Sequence, residues 1–153
     1  MFKMNLDGFK KAKEICHDIL RQGHEKDPNL LRGNAYVDSC RRDSSYKSYG
    51  DGVLCKVLKK GSGELPRENA AVCINYSMWL SDGTELLKNQ THYYLSVSNG
   101  LGMAGFSQAL THMPVGSVWE IVIPERLAHG ASEFGKIKAF STVIMKVELL
   151  SVE

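Results

Sequence analysis

The stretch GFSQALTHMPVGSVWEIVIPERLAHG, residues 105–130, decides the fold because it joins a helical pattern to a strand pattern. Its first apolar residues recur at three- and four-residue steps and share one face of a helix: Phe106, Ala109, Leu110 and Met113. The run Met113-Pro114-Val115-Gly116 ends that helix, since proline cannot continue it. A strand is predicted over Ser117–Ile123.

From Ser48 onward, glycine and proline separate short runs rich in Val, Ile, Tyr and Trp. This pattern is typical of strands joined by turns. The predicted strands are Val53–Leu58, Ala71–Leu80, His92–Val97, Ser117–Ile123 and Thr142–Val152. The residues Ser81-Asp82-Gly83 are those of a hairpin end. We therefore predict an α+β fold, in which an antiparallel sheet wraps around one short helix.

About two helices are predicted ahead of the sheet. The first ends near Gly23 and carries an apolar stripe of Phe2, Leu6, Phe9, Cys16 and Leu20. Asp27-Pro28 begins the second, as N-cap and first helical residue. That helix ends between Arg42 and Tyr46 and has a weaker stripe of Leu30, Leu31, Val37 and Cys40.

A domain boundary near Tyr49 gives an N-terminal helical segment, residues 1–48, and a sheet domain, residues 49–153. Two short helices cannot form a core alone. Their stripes are therefore expected to pack either on the following domain or on a second copy of the chain, which would make a homodimer.

Composition excludes several classes of function. The formal net charge is only +2, and the basic residues are interleaved with acids, so no nucleic-acid partner is expected. The cysteines Cys16, Cys40, Cys55 and Cys73 lack metal-ligand spacing, and no metal or cofactor is predicted. Four cysteines are enough to form two disulfides, and the sequence leaves that possibility open.

No apolar run has the length of a membrane span or a signal peptide. A cytoplasmic protein is expected as the sequence stands, and a periplasmic one if a leader has been trimmed.

Three stretches, in this order, resemble the FKBP family of peptidyl-prolyl cis-trans isomerases: GVLCKVLKKGSGELP, VCINYSMWLSDGTEL, and the stretch quoted first followed by FSTVIMKVELLSVE. The resemblance covers about Tyr49 to Glu153. The preceding RGNAYVDSCRRD resembles the helix that leads into the catalytic domain of bacterial members with N-terminal dimerisation modules.

The resemblance implies a half-barrel sheet curled around the Phe106 helix, with an apolar pocket that accepts a proline ring of a polypeptide client. The same resemblance implies that macrolides such as tacrolimus are candidate ligands. Twisting an X–Pro bond removes its amide resonance and leaves a less polar carbonyl. An apolar pocket that fits the twisted geometry therefore favours the transition state, with no nucleophile, base or metal.

The family's site residues map onto several positions of this sequence. Tyr76 matches the inward-facing strand tyrosine, and its alternation with Val72 and Ile74 independently gives it that face. Tyr93 matches a pocket-wall aromatic. Met103, with Gly102 beside it, matches the residue whose backbone N–H holds a ligand carbonyl. Phe106 stands where many members have the tryptophan of the pocket floor.

Other positions depart from the family. Leu86-Leu87 replaces Phe-Asp, so an aromatic wall and the acid that hydrogen-bonds the strand tyrosine are lost. His129 replaces a tyrosine whose hydroxyl donates to the substrate carbonyl, and an imidazole N–H could take over this role. Met145 replaces an aromatic residue on the last strand. In the shortened loop 131–139, Phe134 and Ile137 are the apolar residues expected to cover the pocket.

These departures leave two functions open. The first is a folding catalyst acting on X–Pro bonds, with catalytic residues Tyr76 and His129 and activity reduced by the altered site. The alternative is an FKBP-like chaperone or protein-binding module with little turnover, which the three substitutions Leu86, Leu87 and Met145 favour. A hydrolase or transferase would need a nucleophile and an orienting acid, and the sequence offers neither in a recognisable pattern.

Overall fold

A computed structural model describes residues 15–19, 21–94, 97, 103–133 and 135–153. Six strands form one antiparallel sheet in the order β1-β2-β5-β6-β3-β4. Their bounds are β1 Tyr46–Tyr49, β2 Val53–Lys59, β3 Val72–Leu80, β4 Glu85–Tyr94, β5 Val118–Ile123 and β6 Val143–Val152. Helix α1 spans Pro28–Arg42, helix α2 spans Ala104–Leu110, and a 3-10 helix spans Glu125–Leu127. The predicted α+β fold class is confirmed.

The main core lies between the concave face of the sheet and α2. Period-two alternation buries every second residue of β3, namely Val72, Ile74, Tyr76, Met78 and Leu80. These side chains join the buried face of α2 in one apolar cluster. The face predicted for this helix is confirmed, since Phe106, Ala109 and Leu110 are fully buried.

Two local features hold α2 close to the sheet. At Gly105, an added Cβ would lie 2.7 Å from Ile123 Cγ2 and 2.9 Å from Val53 Cγ2, so only glycine allows this approach. Gln108 is bound to the β1–β2 turn, because its Oε1 accepts from the Asp51 N–H at 3.0 Å and its Nε2 donates to Asp51 Oδ2 at 2.7 Å. The position of α2 is therefore set at both its start and its middle.

Helix α1 packs on the convex face of the sheet. The Asp27 side chain accepts from the Asn29 N–H at 2.8 Å and Pro28 follows as the first helical residue, as the sequence predicts. Val37 and Cys40 then form a second apolar cluster with residues of three strands, namely Leu54, Val122 and Ile144. The apolar stripe of α1 is thus covered by the chain's own sheet.

Some details of the sequence interpretation need correction. Leu31 does not belong to the buried stripe of α1, since 51% of it is exposed. The strand predicted over His92–Val97 begins much earlier, at Glu85, and pairs with β3 directly through the hairpin turn at 81–84. Its polar residues hid it, because such residues are not typical of a strand.

The strand β1 was not predicted at all, and it crosses the proposed boundary between residues 48 and 49. Its register with β2, from Tyr46 opposite Lys56 to Tyr49 opposite Val53, makes it part of the sheet. Tyr49 also stacks on Trp119, with ring centroids 5.6 Å apart. The sheet therefore begins at Tyr46.

Most of the first predicted helix lies outside the described residues, as do its stripe residues Phe2, Leu6, Phe9 and Leu20. Residues 15–19 are helical, and Cys16 is exposed. Gly23 has a φ of +82°, the left-handed conformation in which glycine commonly ends a helix. All four cysteines are free. Within the described ranges, no helix is long and apolar enough to cross a membrane, and no cluster of side chains could hold a metal ion.

Candidate active site

The predicted floor of the pocket is assembled from distant parts of the chain. Tyr76 from β3, Phe106 from α2 and Met145 from β6 all belong to the core cluster on the concave face. Met103, directly before α2, and Ile137, from the loop that follows the 3-10 helix, belong to the same cluster. These five predicted site residues therefore lie together in one core cluster.

Sheet pairing explains how strands so far apart in sequence meet here. In the β3–β6 register, Tyr76 is opposite Val147 and Met78 is opposite Met145. The α2 side is fixed by its first turn, in which the Phe106 N–H donates to the Met103 carbonyl at 3.2 Å. Phe106 and Met145 have no accessible surface, so core packing sets the shape of the floor.

The residues predicted to form the rim of the pocket are only partly buried. Leu86 packs against the core cluster, and 38% of the neighbouring Leu87 is exposed. A register shift between Met78 and Trp79 lies beside this pair. A shift of this kind changes the direction of side chains at a sheet edge. Leu86 and Leu87 therefore present aliphatic surface at this edge of the sheet.

His129 is the residue predicted to supply the polar part of this rim. It follows the 3-10 helix and is partly buried, and desolvation lowers its pKa below the ordinary value of 6.5. A neutral imidazole has one N–H donor and one acceptor. At neutral pH this side chain can therefore donate a hydrogen bond without bringing a charge into an apolar site.

Tyr93 is the one described residue that the structure removes from the predicted pocket. It is opposite Cys73, whose side chain alternates with those of the buried β3 residues and faces away from the core. Tyr93 is 48% exposed, and its hydroxyl donates to Glu153 Oε2 at 2.9 Å. The prediction that Tyr93 forms a pocket wall is therefore wrong, because the register of β4 gives this position the convex face.

Two other predicted site residues, Gly102 and Phe134, lie outside the described residues. The sequence interpretation also missed Val97 and Leu127, which are buried in the same cluster as Phe106. Leu127 could have been noticed as an apolar residue in a charged run only two positions before His129. The sequence predicts Val97 as the last residue of a strand, and this prediction gives it no role in the pocket.

A separate hollow of about 300 Å³ lies on the other side of the sheet. Tyr36 of α1, Trp79 and Glu120 are among the residues that line it. The Tyr46 hydroxyl donates to Glu120 Oε2 at its edge. This hollow shares no residue with the predicted pocket, so the concave and convex faces offer two distinct surfaces.

Comparison with known proteins agrees with the fold. The model of the FKBP-type peptidyl-prolyl cis-trans isomerase family matches residues 62–150. The FKBP-type 22 kDa peptidyl-prolyl cis-trans isomerase of Escherichia coli is 31% identical, over 91% of this chain and 73% of its own length. FkpA of the same organism is 30% identical over 84% of this chain, which spans about half of that protein, 49%.

Solved structures give the same result. A peptidyl-prolyl cis-trans isomerase from Pseudomonas syringae superposes with a TM-score of 0.74 at 28% identity, covering 82% of this chain and 93% of the other. The chain belongs to the FKBP-type peptidyl-prolyl cis-trans isomerase family. The predicted family, fold class and enzyme class are confirmed, and the comparisons favour the isomerase over a binding module that lacks turnover.

The lowered pKa of His129 gives a measurable expectation. In NMR titrations of the imidazole Cε1–H, assigned with His129→Gln, the midpoint should lie below 6.5, because burial penalises the charged ring. In the urea-unfolded chain the same ring should titrate near its ordinary value of about 6.5. The unfolded state then takes up the proton more readily, so His129 should lower the free energy of unfolding as the pH falls through about 6.5. A folded midpoint at or above that of the unfolded chain would contradict this placement.

Proposed function

We propose that the concave-face pocket of this chain accelerates cis–trans interconversion of X–Pro bonds in polypeptides, with Tyr76, Phe106 and Met145 as its floor. The observation that carries the proposal is that Tyr76, Phe106 and Met145, from β3, α2 and β6, belong to one apolar cluster on the concave face. The partly buried His129 follows two residues after Leu127, a member of the same cluster. A proline ring would lie over the floor between Leu86 and the 129–137 loop.

The chemistry follows from the resonance of the amide bond. An X–Pro bond must lose its partial double-bond character to rotate, at a barrier of about 18–20 kcal/mol. The twisted amide has a less polar carbonyl and a more pyramidal nitrogen, so it loses less than the planar amide on leaving water. An apolar pocket whose shape is set by the packing of Phe106 and Met145 would therefore favour the twisted form.

His129 would act on the carbonyl of the residue before proline. A neutral N–H that donates to this oxygen fixes the amide at one end while the proline ring is held at the other. Because the ring is partly buried, water competes less for this hydrogen bond. His129 is thus proposed to orient the substrate, with no proton transfer.

The departures from the family pattern suggest which substrates the pocket prefers. Leu86 and Leu87 replace an aromatic–acid pair at the rim, and both are available on the sheet edge beside the core cluster. An aliphatic residue before proline would bury surface against them. The loss of the acid and of one aromatic wall is proposed to reduce the rate relative to family members that keep them.

The direct test is the exchange rate of a peptide of the Ala-Leu-Pro-Phe type, measured by NMR with catalytic amounts of the chain. Wild type should raise the exchange rate above its uncatalysed value. His129→Leu should lower kcat/KM by about tenfold, the equivalent of one hydrogen bond of about 1.4 kcal/mol. His129→Gln, which keeps an N–H donor, should lose less.

Tyr93→Phe is the matched control, since Tyr93 lies on the convex face and should leave the rate unchanged. An exchange rate that stays at its uncatalysed value with the wild-type chain would contradict the proposal and favour the binding-module alternative.

Macrolides such as tacrolimus are proposed as ligands of the same pocket. Their binding should be detected as inhibition of the catalysed peptide exchange.

We also propose that the chain forms a homodimer through its N-terminal residues. The stripe of α1 is already covered by the sheet, so it cannot supply the interface. Ile15 and Ile19 lie one helical turn apart and are 52% and 58% exposed. Apolar side chains repeated on one helix face commonly mark contact with another protein.

Light scattering over a range of concentrations tests the dimer. Wild type should approach twice the chain mass, and the Ile15→Ser/Ile19→Ser double variant should shift to the monomer. Leu31→Ser, at an equally exposed position of α1, should leave the mass unchanged. A wild-type chain that stays at monomer mass at every concentration would rule the dimer out.

The free cysteines support a reducing compartment. None of the four is in a disulfide, and Cys16 is exposed to oxidants. Thiols of this kind persist in the cytoplasm and are at risk in the periplasm. A cytoplasmic location is therefore proposed, with the periplasm as the alternative for a chain that carries a leader.

A further inference from the structure

Glu125 is a buried carboxylate beside the candidate active site. It begins the 3-10 helix that leads to His129, and only 5% of its side chain is exposed. A carboxylate removed from water costs several kcal/mol unless donors or cations replace the lost hydration. The groups that pair with the Glu125 carboxylate therefore determine whether it stays buried in the 3-10 helix.

Those partners come from the N-terminal helical residues, more than a hundred positions away. His17 Nε2 donates to Glu125 Oε2 at 2.7 Å, and 13% of the His17 side chain is exposed. Arg21 NH1 lies 3.9 Å from Glu125 Oε1 and is 40% exposed, which makes it the weaker partner. His17 thus provides the short, protected hydrogen bond that compensates the buried charge.

The backbone of the same residue holds His129 in place. The Glu125 carbonyl accepts from the Ala128 N–H at 3.1 Å and from the Gly130 N–H at 2.8 Å. These two amides flank His129 on both sides. Any outward movement of Glu125 toward water would stretch both hydrogen bonds and shift the imidazole between them.

His17 contacts the far side of the same loop as well. An added Cβ at Gly130 would lie 3.3 Å from His17 Cδ2, so ring and backbone are in close contact. The His17 ring meets Phe140 edge to face, with centroids 6.5 Å apart. The Phe140 N–H in turn donates to the Gly130 carbonyl at 2.7 Å. The two ends of the 130–140 loop are therefore tied together beneath His17.

We propose that His17 is a positioning residue of the isomerase site, which through Glu125 and Gly130 fixes the backbone on both sides of His129. The N-terminal helical residues then contribute to catalysis and not only to oligomerisation. The catalytic part of this inference rests on the role given to His129 above. The structural part, that His17 holds the loop, stands without it.

A pair of amide substitutions separates this role from general stability. His17→Gln can place its Nε2 donor near the position of the imidazole Nε2, whereas His17→Asn is one methylene shorter and cannot reach Glu125. Both variants are polar and neutral. Cys16→Ser, at the exposed neighbouring position, is the control.

Two quantities are measured for each variant: hydrogen exchange of the Ala128 and Gly130 amides, and kcat/KM in the peptide exchange assay. His17→Asn should lose amide protection and about tenfold in kcat/KM, while His17→Gln should stay within about twofold of wild type. The control should match wild type in both. Urea midpoints identify any variant whose global stability has collapsed.

Equal values for the Gln and Asn variants, whether high or low, would overturn the assignment, because the hydrogen bond to Glu125 would then not set the loop. A difference in amide protection without one in kcat/KM would overturn the catalytic part. If the wild-type chain itself shows no catalysis, the proposed function fails, and amide protection alone decides whether His17 holds the loop.

Discussion

The close packing of α2 into the concave face of the sheet is the constraint on which the rest of the structure depends. Gly105 permits this contact, since any side chain there would collide with Ile123 and Val53. The contact buries Phe106 and aligns it with Tyr76 and Met145 in one cluster. The same packing therefore stabilises the domain and sets the shape of the proposed apolar floor.

The rim is under weaker constraint, although this chain departs from the family pattern in the floor as well, at Met145. Leu86, Leu87 and His129 are partly exposed, so replacing them changes what a substrate meets without disturbing the core. Catalysis of X–Pro rotation tolerates such changes, because it depends on desolvation and shape more than on any one reactive group. The backbone on both sides of His129 is held by hydrogen bonds to the Glu125 carbonyl.

The sequence predicts the core and its turns well because these follow local rules. Period-two alternation located Tyr76, three- and four-residue spacing located the face of Phe106, and Asp27-Pro28 marked the start of α1. It fails where distant contacts decide. The register of β4 puts Tyr93 on the convex face. Nor could local patterns reveal that His17 meets Glu125, since 108 positions separate them.

The central claim is that X–Pro segments bind on the concave face. The most direct measurement is a map of backbone amide shifts while a peptide of the Ala-Leu-Pro-Phe type is added, repeated with alanine in place of proline. The account predicts shifts that concentrate in α2, β3 and residues 127–137 and that require the proline. Shifts around the convex-face hollow at Tyr36 and Glu120, or equal shifts with the alanine peptide, would contradict it.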